Sequence, residues 1–261
     1  IMTRQEGLLA TPAVMPSERR GAIARGFKKT GPAIFSYGFR PFFLGGAIWA
    51  VLAMLLWILS LTIGLSVGGA YGALNWHAHE MVFGFSSAVL AGFLLTAVPN
   101  WTGRLPVSGM PLAFLFGAWF AGRLVFLNPD ITNIYVAVTI ESLFLPLLLF
   151  ICAREIIAGR QWKNLKVLIA VAVVTLANLT FHSLALSGGD VAMANRIGVS
   201  AYVLLIMLIG GRIIPSFTRN WLNKAGLTQF PTSFNRYDGL CIIVGAATCI
   251  AWVAAPESSV T

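Results

Sequence analysis

Long apolar stretches separated by short polar connections dominate the pattern of this chain. A helix needs about 20 largely apolar residues to cross the hydrocarbon core of a bilayer. Seven stretches come close to that length, and their predicted bounds are 42–65, 76–99, 111–128, 131–153, 165–187, 195–214 and 239–256. The pattern therefore predicts an all-α fold, a polytopic transmembrane bundle of about seven helices.

The basic residues indicate how these spans are oriented. Cytoplasmic loops of membrane proteins are enriched in Lys and Arg, and here every Lys and Arg except Arg123 and Arg196 falls on one side of the predicted bundle. We therefore predict a cytoplasmic N-terminal tail over residues 1–41 and a transmembrane helical domain over residues 42–256. The second span then starts at the extracytoplasmic face.

The composition agrees with a protein whose solvent is lipid. Hydrophobic residues make up 57% of the chain and charged residues only 10%, which is far more apolar than a water-soluble domain of this size. A net charge of +9 would suggest nucleic acid as the partner of a soluble protein, but here membrane topology explains it. We predict the lipid bilayer as a partner and no nucleic acid. The chain shows no phosphate loop, zinc-protease pattern or Ser-His-Asp order, so hydrolase chemistry has no support.

Two histidines and a carboxylate enter the second span together, at its predicted extracytoplasmic start. They are His77, His79 and Glu80, in the segment Asn75–Gly84. Such groups are costly in hydrocarbon and mark a functional site by default. His77 and His79 are about 200° apart around a regular helix, so both cannot face one metal ion.

Helical geometry also predicts what lies beside each of these side chains. His77 and Glu80 are expected to share a face that continues with the small residues Gly84, Ala88 and Gly92. A stripe of small residues allows a neighbouring helix or a flat macrocycle to approach closely. His79 is expected to point away from this stripe, towards an aromatic face that could form the wall of a cofactor pocket.

The third histidine lies at a similar predicted depth. His182 stands a few residues before the extracytoplasmic end of the fifth span, at about the level of His77 and His79. Because imidazole suits both haem iron and copper, the shared depth favours one metal or cofactor site containing all three histidines. The alternative is that they are interfacial histidines hydrogen-bonded to loops.

Three further charged residues belong to this region or to its surroundings. Glu141 lies near the middle of the fourth span, where it is expected to be protonated, paired with an arginine, part of a proton path or simply hydrogen-bonded. Arg123 and Arg196 could contact a cofactor, through haem propionates or Glu80. Snorkelling of both arginines to the membrane interface is the simpler interpretation.

Four motifs closely resemble the NnrS family. They are Tyr37–Leu44 (YGFRPFFL), Trp76–Gly84 (WHAHEMVFG), Gly92–Gly103 (GFLLTAVPNWTG) and Gly210–Leu222 (GGRIIPSFTRNWL). The resemblance runs in order from residue 37 to about residue 255. It implies a bacterial inner-membrane protein that contains haem and copper, contributes to resistance to nitric oxide during denitrification, and engages nitric oxide or iron-nitrosyl species.

The resemblance also assigns residues and raises a question of length. The histidine motif of the family falls on His77 and His79, its glutamate on Glu80 and its fifth-span histidine on His182. Family members usually have about twelve spans, so this chain is expected to be shortened at its C-terminus. A ligand missing from it could be supplied by a second copy in a homo-oligomer.

Three functions remain open at this stage. The first is a haem- and copper-binding protein of the nitrosative-stress response. The second is a proton-coupled transporter that uses Glu141. The third is a non-catalytic membrane assembly factor that docks a partner on the small-residue face of the second span. The sequence does not decide whether the chain is an enzyme.

Overall fold

The computed structural model describes residues 32–256. Most of the predicted cytoplasmic tail, residues 1–31, lies outside this range, and its described end forms a short 3-10 helix, Ala33–Ser36. Within the described range the chain contains helices and no strands, as the apolar pattern predicts. Seven helices are long and apolar enough to cross a membrane.

We number these helices in chain order. They are α1 (Phe39–Ile63), α2 (Gly69–Thr102), α3 (Met110–Leu127), α4 (Ile134–Ala158), α5 (Trp162–Leu186), α6 (Ala192–Lys224) and α7 (Arg236–Ala254). A further short helix, Pro129–Thr132, joins α3 to α4. The predicted number of spans is confirmed.

Two helices are longer than the apolar stretches that predicted them. Helix α2 begins at Gly69, and α6 continues through Pro215 to Lys224. The apolar pattern marks only the part of a helix that lies in hydrocarbon, and polar turns can continue beyond it. A proline removes one backbone hydrogen bond without ending a long helix whose other bonds remain in place.

Helix α2 occupies the centre of the bundle. In an 18-residue apolar stretch of α2, 61% of the residues are buried inside the bundle, compared with none in the corresponding stretch of α7. Helix α2 packs against α1 and α4, α5 packs against α4 and α6, and α7 packs on α6. Polar groups on α2 are therefore shielded from lipid by neighbouring helices, as a buried site in a membrane requires.

At Ala88 and Gly92 the small-residue stripe of α2 is covered by α1. A Cβ atom built on Gly46 would lie 3.2 Å from Cβ of Ala88, and one built on Gly92 would lie 2.6 Å from the ring of Phe43. Close helix approach along the stripe is therefore confirmed, with α1 as the neighbour. Around these residues the stripe has no room left for docking a partner protein.

Candidate metal centre

A π-helical turn interrupts α2 just after its two histidines. It spans Glu80–Phe85, between the α-helical segments Gly72–His79 and Ser86–Thr102. Three side chains bond to carbonyls of this turn: Ser86 Oγ donates to Met81 O at 2.8 Å, Ser87 Oγ donates to Phe83 O, and Trp119 Nε1 donates to Gly84 O at 3.0 Å. These bonds stabilise the wide turn, a feature that is frequent at functional sites.

His79 and Glu80, on either side of the start of this turn, both point into the interior. Both side chains are fully buried, and His79 Nδ1 lies 3.3 Å from Glu80 Oε1. His77 is half-buried on a different face from His79, and its ring stacks on Trp57 with centroids 4.1 Å apart. His77 and Glu80 both contact tryptophans of α1, Trp57 and Trp49, in agreement with the expected shared face.

A second irregularity positions Glu141 in α4. The helical hydrogen-bond pattern is interrupted at Leu143, whose backbone nevertheless keeps helical dihedral angles. Pro146 follows closely and has no N–H with which to bond the carbonyl of Ser142. Glu141 lies just before this interruption and is 3% exposed.

Glu141 joins the two buried histidines in one hydrogen-bonded cluster. Its Oε2 atom accepts from His182 Nε2 at 2.7 Å and from Asn178 Nδ2 at 3.0 Å. The Oδ1 atom of Asn178 lies 2.9 Å from His79 Nε2, and Glu141 Oε1 lies 3.6 Å from the same nitrogen. The cluster thus connects α2, α4 and α5 inside the bundle.

Arg123 on α3 bridges the two buried carboxylates. Its Nη2 atom donates to Glu141 Oε1 at 2.6 Å, and its Nη1 atom lies 3.1 Å from Glu80 Oε2. Trp49 Nε1 also donates to Glu80 Oε2, at 2.6 Å. Arg123 is 1% exposed, so the snorkelling interpretation is wrong for this residue, and its predicted pairing with Glu80 is confirmed.

Each buried imidazole has a polar partner at its Nδ1 atom. His79 Nδ1 faces the carboxylate of Glu80, and His182 Nδ1 lies 3.0 Å from the hydroxyl of Tyr71. The two Nε2 atoms both face Glu141: His182 Nε2 bonds to its Oε2 atom, and His79 Nε2 lies 3.6 Å from its Oε1 atom. Outer partners of this kind fix the ring orientation and tautomer of histidines that bind metals.

Aromatic rings enclose the histidine pair. The ring of His79 has its centroid 4.5 Å from that of Phe126, 4.9 Å from that of Phe181 and 5.4 Å from that of Phe83. All three phenylalanines are at most 1% exposed. Apolar surroundings lower the local dielectric and strengthen every electrostatic interaction within the cluster.

Two residues predicted for the site lie outside this cluster. His77 stacks on Trp57, and its Nδ1 atom is buried without a hydrogen-bond partner. Arg196 on α6 is half-buried, and its Nε atom also has no such partner. Neither contributes to the contacts that join Glu80, Arg123 and Glu141.

The cluster has the donor atoms of a small metal site. Single ligand atoms of His79, Glu141 and His182 all lie within 4.8 Å of one another. With metal–ligand bonds of about 2.0–2.2 Å, opposite ligands of one ion are roughly 4 Å apart, so small side-chain movements suffice. Two imidazoles and one carboxylate suit copper, zinc or non-haem iron, and three protein ligands leave a position for an exogenous molecule.

A haem does not fit at the same position. The macrocycle is much broader than an imidazole, and the packed rings of Phe83, Phe126 and Phe181 stand where it would have to approach His79. A bare ion needs no such space. The geometry therefore fits a small metal ion and does not fit haem ligation by this histidine pair.

Sequence reasoning missed Tyr71, Trp49 and Asn178 as members of the site. Trp49 and Tyr71 are ordinary residues of apolar or interfacial segments, so nothing in their type singled them out. Asn178 offered a signal, because it lies one helical turn before His182 and an amide in the middle of a span needs a partner. Pro146 was a similar signal for the irregular backbone beside Glu141.

Comparison with known proteins gives one result. The family model described as NnrS protein matches residues 33–261 of this chain. No curated protein and no solved structure matches it.

Proposed function

The chain belongs to the NnrS family, and we propose that His79, Glu141 and His182 bind a copper ion through which the protein contributes to resistance to nitric oxide. The observation that carries the proposal is the convergence of two imidazoles and a carboxylate from three helices in a buried cluster. Scattered interfacial histidines would have no reason to meet in this way.

The arrangement around the ligands supports this proposal. If a metal ion binds Nε2 of His79, the Nδ1–H group of His79 can donate to Glu80. If it binds Nε2 of His182, the Nδ1–H group of His182 can donate to the Tyr71 hydroxyl. These are the outer contacts that metal-binding histidines usually have. In the metal-bound form Glu141 would bond to the ion instead of to His182, and Arg123 and Asn178 would still hold its carboxylate.

Copper at this position would supply a redox-active centre with an open coordination position for a diatomic ligand. The protein's own residues contribute binding, orientation and exclusion of water. His79 and His182 supply nitrogen ligands, Tyr71 and Glu80 orient them, and the surrounding phenylalanine rings keep bulk water out of the site. Because nitric oxide is small and uncharged, it can reach a buried site through the lipid-facing parts of the bundle.

Metal content after mutation tests the site. Wild-type protein and the variants His77→Ala, His79→Ala and His182→Ala are purified in detergent from copper-supplemented cells and analysed for bound metals by mass spectrometry. We expect wild type and His77→Ala to retain copper, because His77 lies outside the cluster. We expect His79→Ala and His182→Ala to lose at least about tenfold in occupancy, since each removes a ligand.

Exposure of cells to a nitric-oxide donor tests the biological role. Cells that produce wild-type protein should recover growth sooner than cells that produce His182→Ala at an equal membrane level. Equal copper content in all four purified proteins would overturn the site, whereas equal growth with a confirmed copper site would overturn only the role. Any haem is measured separately from the optical spectrum, and we expect His79→Ala to retain the haem absorbance of wild type.

The same proposal places the protein in the bacterial inner membrane with its N-terminus in the cytoplasm. The distribution of Lys and Arg supports this orientation, which puts the cluster towards the extracytoplasmic side of the bilayer. The alternative of a proton-coupled transporter relied on Glu141. In the proposed function Glu141 has a defined place as a ligand between Arg123, Asn178 and His182.

A further inference from the structure

An apolar groove runs along one side of the bundle, where α5, α6 and α7 meet. Its volume is about 510 Å³, within the range of about 300–1,000 Å³ that is usual for small-molecule sites. Helix α7 packs on α6, and no residue of its apolar stretch is buried, so the groove faces the surrounding lipid. Its walls carry mainly aliphatic side chains, among them Ile169, Val173, Leu204, Leu208, Ala246 and Ile250.

The length of the groove matches one leaflet of a bilayer. On α6 its wall extends from Ile197 to Leu208, which is roughly 16 Å at a rise of 1.5 Å per residue. Half of a hydrocarbon core about 30 Å thick has nearly the same length. An extended acyl chain that enters from one membrane surface therefore fits the groove in both length and polarity.

Two basic residues lie at the same depth at one end of the groove. Lys166, which belongs to the wall, lies 20 residues before the end of α5 at Leu186. Arg212 lies 20 residues after the start of α6 at Ala192. Because α5 and α6 form an antiparallel pair joined only by residues 187–191, equal counts from this connection place Lys166 and Arg212 opposite each other.

Both basic side chains are available to a ligand. Arg212 continues the face of α6 that forms the groove, since it follows Leu208 at an interval of four residues. Lys166 and Arg212 are exposed, and every ion pair within residues 32–256 involves other residues. An acidic residue at the start of α7, Asp238, accepts instead from the backbone N–H of Asn235 at 2.8 Å, in the capping box of that helix.

We propose that the groove binds an anionic phospholipid of the bilayer, with an acyl chain along its walls and the phosphate between Lys166 and Arg212. A phospholipid joins an anionic group to an apolar chain, in the order in which the two cations and the groove follow one another. Basic residues between transmembrane helices recognise acidic headgroups in this way. Trp162 is 57% exposed one turn before Lys166, which is typical of a tryptophan at the level of lipid headgroups.

The charge at the mouth of the groove selects among phospholipids. A choline headgroup carries an ammonium group that would lie beside two further cations, whereas a glycerol headgroup adds no positive charge. The site therefore prefers phosphatidylglycerol to phosphatidylcholine. It uses no residue of the metal cluster, and it does not depend on which end of the bundle faces the cytoplasm.

Native mass spectrometry measures this preference on the full chain, purified and delipidated in detergent. Dioleoyl phosphatidylglycerol and dioleoyl phosphatidylcholine are added separately over one concentration range, so that only the headgroup differs. We expect the first phosphatidylglycerol to bind wild type at least about tenfold more tightly than the first phosphatidylcholine, since two basic residues each attract the acidic headgroup.

The headgroup contacts are tested by removing both charges. Lys166→Gln/Arg212→Gln should reduce the preference to within about threefold, because the attraction of the two cations is lost. The matched control is Arg160→Gln/Lys224→Gln, which removes two exposed basic residues at the same end of the bundle that do not line the groove. This control should keep the preference of wild type, as should the charge-conserving exchange Lys166→Arg/Arg212→Lys.

The acyl-chain contacts are tested by filling the groove. Ala246 lies on its wall, whereas the neighbouring Ala247 is exposed on another face of α7. Ala246→Phe should weaken binding of the first phosphatidylglycerol at least about tenfold, because the ring displaces several methylene groups of the chain. Ala247→Phe should bind it as wild type does. This pair tests the groove even if the charge variants cannot be purified.

Several results would overturn the lipid site. They are equal affinity of wild type for the two lipids, an unchanged preference in Lys166→Gln/Arg212→Gln, and equal binding by Ala246→Phe and Ala247→Phe. A wild-type dimer that becomes monomeric in Ala246→Phe would overturn it too, since the groove would then be an interface between two copies of the chain. Copper content is measured on the same samples and should not differ among these variants, so the metal site and the lipid site are tested independently.

Discussion

The imidazole rings of His79 and His182 lie on different helices, with centroids 4.9 Å apart. Helix α2 presents the first ring from the start of a π-helical turn, and α5 presents the second from near its end. Since Glu141 bonds to His182 and lies beside His79, any change to one ring's orientation should be transmitted to the other.

Removing the hydroxyl of Tyr71 should weaken metal binding while the fold is retained. In Tyr71→Phe, His182 Nδ1 loses its partner at 3.0 Å, and the ring is then free to rotate. Loss of such an outer contact costs about 10–100-fold in metal affinity, and loss of one hydrogen bond costs about 0.5–1.5 kcal/mol of stability. Chelator competition and thermal unfolding in detergent measure the two effects.

Tyr135→Phe is the matched control for this substitution. Tyr135 is 68% exposed on α4, so loss of its hydroxyl should leave metal affinity unchanged. Equal affinities for Tyr71→Phe and wild type would show that the hydroxyl does not orient His182.

A methyl group at Gly84 should disrupt the ion pairs of the cluster. Its Cβ would collide with Arg123 Nη1 and lie 2.5 Å from Glu80 Oε2. Overpacking of this kind costs about 1–3 kcal/mol, so Gly84→Ala should lower the apparent melting temperature and reduce metal occupancy. The control is Gly117→Ala, because a Cβ at Gly117 meets nothing within 4 Å. Alanine is the better helix former, so Gly117→Ala should be as stable as wild type or slightly more stable.

Trp49→Phe should destabilise the protein through Glu80. The indole N–H donates to Glu80 Oε2 at 2.6 Å in a fully buried environment, and hydrogen bonds to charged groups contribute about 1.5–3 kcal/mol. Thermal unfolding should show the loss, and Trp221→Phe, at a residue that is 66% exposed, should not. If Trp49→Phe were as stable as wild type, the contact with Arg123 alone would be enough to stabilise the buried carboxylate of Glu80.

Cysteine labelling tests the predicted orientation. Single cysteines are introduced at Ser187, after α5, and at Thr228, after α6, in a background without the native thiols; both positions are exposed. In spheroplasts an impermeant maleimide should modify Ser187→Cys, and it should modify Thr228→Cys only after lysis. Labelling in the opposite order would mean that the N-terminus is extracytoplasmic and that the cluster lies towards the cytoplasm.

The sequence predicted part of the site because depth in a membrane follows from local composition. Each apolar run fixes where its helix crosses the bilayer, and at 1.5 Å per residue this places His79 and His182 at one level. The sequence also correctly marked Glu80 and Glu141 as costly groups in need of partners. It could not choose between His77 and His79, since that choice depends on the rotation of α2.

By itself the sequence determined the class of protein and the number of its spans, because the transfer of apolar side chains into lipid is a local energy summed along each segment. Only the tertiary structure decided which side chains meet. The π-helical turn after His79 and the irregularity beside Glu141 are not visible in the apolar pattern, and the partners Trp49, Tyr71 and Arg123 come from other parts of the chain. Such convergence depends on contacts between helices, which the hydrophobic pattern of a single helix does not encode.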